Sequence, residues 1–217
     1  MKLTGLRVFG SITVLACAAL ACAAVPSVDS LLNPLPKDDF SSDTSGWGTG
    51  TDSDKSVEYA NGGLHMTVYT PTYVTWSTPG ITSYENIHIE ASVTNASADP
   101  KALFGIVCNE QGSTTAFYYV GVSSEGYYAF IKSSVAEKDV YLKEGTSDVI
   151  SAASSKSMRL GLDCGDMLAL YVNGKKIDTV SDSTYTSGAV GLFAASGDQK
   201  SGTDVTFDDF VTKKLSK

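Results

Sequence analysis

"LALYVNGKKIDTV", Leu168 to Val180, reads as two β-strands folded over a two-residue turn. Asn173 and Gly174 tolerate the positive φ that both central positions of a type I′ turn require, and that turn carries the twist of the strands it joins. Alternation with period two puts Leu168, Leu170 and Val172 on one face and Met167, Ala169 and Tyr171 on the other. Both faces are largely apolar, so this strand is expected to be covered on both sides.

The same texture fills the rest of the chain. "GLHMTVYT", "YVTWS", "IHIEASVTN", "LFGIVCN", "AFYYVGVS", "GYYAFIKS", "SMRLGLDC", "GAVGLFAA" and "DVTFDDFVT" are short runs rich in Val, Ile, Thr, Tyr and Phe. Gly, Asn, Ser and Asp separate them at the spacing of a β-sandwich. There is no amphipathic helix of useful length, no heptad, no long repeat and no phosphate-binding glycine loop.

The first residues stand apart from this body. Lys2 and Arg7 precede an apolar, small-residue run from Val8 to Ala21, followed by "ALACAA", which is the plan of a secretory leader. Cys17 and Cys22 each follow small or aliphatic residues, a pattern resembling the lipobox of bacterial lipoproteins. Cys22 is the expected lipidation site, because stopping at Cys17 leaves too short an apolar core; ordinary cleavage with release is the alternative. Residues 1–21 are thus assigned to the leader, 22–36 to a proline-bearing tether and 37–217 to one folded domain, large enough for a substantial core. The expected location is the cell surface or outer envelope, with the membrane touched only through the lipid anchor.

Removing the leader takes away two positive charges and moves the formal net charge from −8 to −10. That balance argues against nucleic acid or an anionic membrane surface as partner, since both need clustered Lys and Arg. Two cysteines remain, Cys108 in "FGIVCNE" and Cys164 in "LGLDCGD". Export places them where disulfides persist, so a bridge between them is expected, with two separate buried thiols as the alternative.

Catalysis finds little support in the motifs. The family-16 glucanases carry their carboxylates as Glu-x-Asp-x-Glu on one strand face, and no such spacing occurs here. Glu85 and Glu90 fall on opposite faces of a regular strand; Glu90 shares a face with His88, which reads first as an outward polar pair, as does His65. The two histidines have no metal-ligand spacing, and no G-x-S-x-G elbow is present.

The order "DDF…SGW…YANGGLHM…HIEASV…FGIVCNE…FYYVGVSSEGYY…LALYVNGKKI…SGAVGLFA…VTFDDFV" resembles the concanavalin A-like lectin/glucanase superfamily. Within it the likeness is greatest to the 3-keto-disaccharide hydrolase domain of unknown function and to LamG-like domains of bacterial lipoproteins. The resemblance implies a jelly roll of two curved antiparallel sheets with the first and last strands adjacent. The two Asp-Asp-Phe triplets would then meet at one corner, with Phe40 and Phe207 or Phe210 turned inward. It also implies a structural Ca²⁺ there, on Asp38 or Asp39, a carbonyl of Asn61 or Gly62, and Asp208, with Asp39, Gly62 and Asp208 the expected ligands. Solvated edge aspartates are the alternative.

Glycan binding is the economical expectation for such a domain, and the aromatic residues supply candidates. In "FYYVGV" Phe117 and Tyr119 share one face and Tyr118 and Val120 the other; in "YYAFIKS" Tyr127 and Ala129 oppose Tyr128 and Phe130. One of each pair is expected to lie outward, which makes Tyr118 or Tyr119, and Tyr127 or Tyr128, the candidate sugar platform. Trp47 is expected to pack after the first strand and Trp76 between the sheets. The reading is a monomeric, noncatalytic glycan-binding domain of a surface lipoprotein. A hydrolase of a modified disaccharide and a protein-binding envelope sandwich are the alternatives.

Overall fold

The computed structural model describes residues 35–112, 116–135, 137–154 and 157–215. The leader, Cys22 and most of the tether lie outside them. In chain order the strands are β1 (Lys37–Asp38), β2 (Gly50–Thr51), β3 (Lys55–Ala60), β4 (Gly63–Val68), β5 (Val74–Ser77), β6 (Ile87–Asn95) and β7 (Leu103–Glu110). Then come β8 (Phe117–Val122), β9 (Tyr127–Ser133), β10 (Val140–Thr146), β11 (Met158–Cys164), β12 (Leu168–Val172), β13 (Lys175–Val180), β14 (Ala189–Ala195) and β15 (Thr203–Lys214). A six-residue helix, α1 (Asp148–Ala153), lies between β10 and β11, capped by the Ser147 side chain and buried through Ile150 and Ala153.

The strands form two antiparallel sheets. A nine-stranded sheet runs β13-β12-β11-β6-β15-β4-β3-β2, with β1 added beside β15, and a six-stranded sheet runs β10-β9-β8-β7-β14-β5. This is the expected jelly-roll sandwich. The opening stretch is the β12–β13 hairpin: Asn173 and Gly174 have φ of 50° and 75°, and Val172 pairs with Lys175. Asn61-Gly62 repeats the device between β3 and β4, with φ of 58° and 76°.

Alternation places Leu64, Met66, Val68, Ile87, Ile89, Val93, Leu160 and Leu162 of the large sheet against Phe104, Ile106, Tyr118, Val120, Phe130 and Leu192 of the small one, all buried in one core. Cys108 of β7 and Cys164 of β11 are joined through that core, so the disulfide ties one sheet to the other.

The repeated triplet is resolved by β15. Asp38 pairs with Phe210, and the pairing of β15 with β6 shifts register between Asp208 and Val211. Asp209 takes a φ of 48° there, a left-handed conformation that Asp adopts more readily than most residues. The bulge lets Phe207 and Phe210, an odd number of positions apart, both turn into the core. Phe210 and Phe40 then pack on the same indole, with ring centroids 4.9 Å and 5.2 Å from Trp47, and Trp47 Nε1 donates to Asp38 Oδ2 at 2.8 Å.

Candidate functional site

Of the candidate tyrosines, Tyr119 and Tyr127 lie on the outer face of the six-stranded sheet, one from each pair as expected, while Tyr118 and Tyr128 turn into the core between the sheets. Tyr118, Tyr119 and Tyr128 are buried and Tyr127 is half-buried, so they do not form an open platform. Each phenol donates to a carboxylate: Tyr118 to Asp182, Tyr119 to Asp139, Tyr127 to Glu144 and Tyr128 to Asp178. Burial, reinforced by Asp182, pushes the Tyr118 hydroxyl up to about 12, and the Asp178 hydrogen bond, reinforced by burial, does the same for Tyr128. Tyr119 and Tyr127 are raised further still, by burial first and then by their carboxylates. The Asp182 carboxyl is held well below its ordinary range: burial opposes this, but bonds from Tyr118, Thr184 and Lys132 outweigh it. These pairs orient the rings and keep them protonated.

These tyrosines form no open platform because the six-stranded sheet is packed on both faces. Its outer face carries a second apolar layer in which Val107, Phe117, Tyr119, Ala129, Ile131 and Phe193 are buried, flanked by half-buried Val74, Trp76, Leu103 and Tyr127. Trp76 therefore lies on this outer face, not between the sheets. One row across the strands reads Trp76, Phe193, Gly105, Gly121, Ala129, Glu144. The next row reads Gly191, Val107, Tyr119, Ile131, Tyr141. A Cβ at Gly121 would lie 2.6 Å from the Phe193 ring, so glycine there lets that ring lie down on the sheet. Trp76 stands over the same surface with its ring 5.0 Å from Phe117. On the far edge strand Tyr141 is 57% exposed. Six strands at about 4.8 Å spacing make this surface roughly 24 Å wide.

Glu110, at the end of β7, belongs to the same neighbourhood. It is 5% exposed, and its Oε2 is buried without a hydrogen-bond partner. Burial pushes its carboxyl up, with the Trp76 indole opposing. Nothing in the sequence marks this group, because it falls just beyond the strand-like run "LFGIVCN".

At the seam of first and last strands, Asp38 is fully engaged, one oxygen accepting from Phe40 N and the other from Trp47 Nε1. Asp39 accepts from Ser41 N and Oγ, and Asp208 from Asp209 N, each through Oδ1. Gly62 lies in the turn that leads β4 into its pairing with β15. A cavity of about 740 Å³ opens here, lined among others by Lys37, Asp39, Arg159 and Asp209. Of the expected cation donors, Asp39 lines this cavity, whereas Gly62 and Asp208 are not among its lining residues, and protein cations share the corner: Arg159 Nη1 donates to the Asp209 carbonyl at 2.6 Å. Among the described residues no group of three His, Cys, Asp or Glu side chains is placed to hold a metal.

No protein-family model matches the chain, the 3-keto-disaccharide hydrolase family included, and no curated protein sequence matches it. Solved structures do. The carbohydrate binding module CBM66 from Bacillus subtilis is similar at a TM-score of 0.61 and 15% identity, over 78% of this chain and 96% of that one. A B. subtilis protein of unknown function with a galectin-like fold is similar at 0.59 and 12%, over 83% and 95%. The Bacillus licheniformis β-glucanase is similar at 0.58 and 10%, over 84% and 98%. At these identities the likeness is one of fold, and the fold is the concanavalin A-like jelly roll.

Proposed function

We propose that this chain is a noncatalytic glycan-binding domain of an exported protein anchored through Cys22, and that the outer face of the six-stranded sheet is its binding surface. The observation that carries the reading is the aromatic layer of that face, with Trp76, Tyr127 and Tyr141 reaching its surface. Aromatic rings bury sugar C–H faces, and the Glu144 carboxylate that accepts from Tyr127 holds that ring in place. Neighbours of the same fold include a carbohydrate-binding module and glucanases, which is consistent with this assignment.

Binding of the exported domain to a glycan array tests the proposal. Trp76→Ala should weaken the strongest hit at least tenfold, about 1.4 kcal/mol. Tyr118→Phe should leave it unchanged, since that hydroxyl faces Asp182. Silence on every glycan, or a Trp76→Ala variant that binds like wild type, removes the assignment.

A hydrolase is the second reading, favoured by one observation: Glu110 is a buried acid with a raised pKa, as a proton donor to a leaving group needs. A glycosidase also needs a second carboxylate facing the bond, and Asp139 and Glu144, placed by this face, each already accept from a tyrosine. Turnover of an array hit that Glu110→Gln abolishes would establish this reading instead.

Calcium enters the proposal as a stabiliser of the seam through Asp39, Gly62 and Asp208. Millimolar Ca²⁺ should raise the melting temperature, EDTA should lower it, and Asp208→Ala should remove the response. A melting temperature indifferent to calcium leaves the corner to Arg159 and Lys37.

A further inference from the structure

The outer face of the nine-stranded sheet carries a second feature, made of polar groups. Tyr171 on β12 donates its hydroxyl to Asp163 Oδ2 at 2.7 Å, and Asp163 Oδ1 lies 2.6 Å from His88 Nδ1. His88 Nε2 meets Glu90 Oε1 at 3.1 Å. Glu90 Oε2 accepts from Arg159 Nη2 at 3.2 Å, and Arg159 Nη1 reaches Ser92 Oγ at 3.1 Å as well as the bulge carbonyl of Asp209. The chain of contacts runs unbroken across β12, β11, β6 and β15.

A sheet face that only meets water needs none of this: threonine or lysine would serve, without the entropy lost in fixing long polar side chains. The network instead surrounds a hollow. Gly161 is the floor of a cavity of about 440 Å³ walled by His88, Glu90, Arg159, Asp163 and Tyr171, with Lys213 at its rim. In the register Gly161 stands between Glu90 and Tyr171. A Cβ there would come within 3.2 Å of Tyr171 Cβ and 3.3 Å of His88 Cε1, closing the floor.

We infer that this hollow is a second binding site, for a single neutral sugar ring such as the end of a glycan chain. Carboxylate acceptors and guanidinium and ammonium donors stand side by side in it. A sugar hydroxyl is both donor and acceptor, so neighbouring hydroxyls use both kinds at once. Both signs of charge line the cavity, Glu90 and Asp163 against Arg159, Lys213 and Lys214; Lys214 Nζ is turned to the Glu85 carbonyl at 3.3 Å, and the other charges balance, so no single-sign field selects an ionic ligand. The network holds these groups in place before the ligand arrives, which limits the entropy lost on binding. The site shares no residue with the aromatic face and stands or falls separately from it.

The test is saturation-transfer NMR on the full-length chain in detergent, with neutral monosaccharides (glucose, galactose, mannose, xylose, fructose) and glucuronate as separate probes. A neutral monosaccharide should give a transfer signal in wild type, and the signal should survive Trp76→Ala, which damages only the aromatic face. Glu90→Gln, nearly isosteric, should weaken that sugar at least tenfold. Gly161→Ala should do the same by filling the floor. The inference is overturned if no neutral sugar gives a signal, if the signal is lost in Trp76→Ala, if it persists in either pocket variant with a wild-type melting temperature, or if glucuronate is preferred.

Discussion

The Cys108→Ala/Cys164→Ala double variant is expected to melt about 8–16 °C below the wild type. The bridge closes a loop of 56 residues, and in the chain-entropy model such a closure is worth about 4 kcal/mol, drawn from the freedom it denies the unfolded chain. Both sulfurs are buried among apolar residues of the two sheets, so the alanine pair leaves little polar surface to confuse the comparison. Thermal unfolding with and without reductant checks the result. Reductant should lower the wild type towards the variant and leave the variant where it was. A double variant that melts within a degree or so of wild type would mean that residual order in the unfolded chain already supplies the constraint.

Phe210→Ala should be nearly as damaging, costing about 3–5 kcal/mol as large aromatic truncations in a core do. Phe210 is 1% exposed, and its ring stands edge-on to Trp47 at 4.9 Å. Its loss opens a cavity at the seam and deprives the indole of one of its two aromatic neighbours. Denaturant unfolding measures the loss, and Trp47 fluorescence should shift to the red in the folded variant as water reaches the indole. Asp209→Asn is the control, since Asn also accepts the left-handed conformation and the Arg159 contact is made to a carbonyl. Should Phe210→Ala lose less than about 1 kcal/mol, the sheet would have to be able to collapse around the gap.

The parts of the fold that were legible in the sequence are those where one local rule acts alone. Asn173-Gly174 declared its hairpin because no other dipeptide suits a type I′ turn so well, and Asn61-Gly62 could have been read the same way. β3 and β10 were not read as strands, for a physical reason. β10 is an edge strand with Val140, Tyr141, Lys143 and Glu144 outside the core, so no buried face imprints an alternation on it. The bulge in β15 was not legible: alternation lets either Phe207 or Phe210 turn inward, and only the register shift after Asp208 brings both into the core.

The sites were less legible because they depend on register. Alternation told correctly that Tyr118 opposes Tyr119, but it cannot tell whether the outer face is wet. Here Phe193, Phe117 and Ile131 from three strands cover it. The polar network draws Glu90, Arg159, Asp163 and Tyr171 from three strands. His88 and Glu90 alone were close enough in sequence to be noticed as a pair.

One consequence of the seam concerns how such a domain can be carried by other proteins. Asp38 pairs with Phe210, and the Pro36 carbonyl accepts from both the amide and the hydroxyl of Thr212. The fold is therefore entered and left at the same corner. A domain with its two ends side by side can be spliced into a surface loop of a host without prying that loop open. It can also be circularly permuted, with a short linker joining the old ends and new ones cut at the exposed Asn173-Gly174 turn.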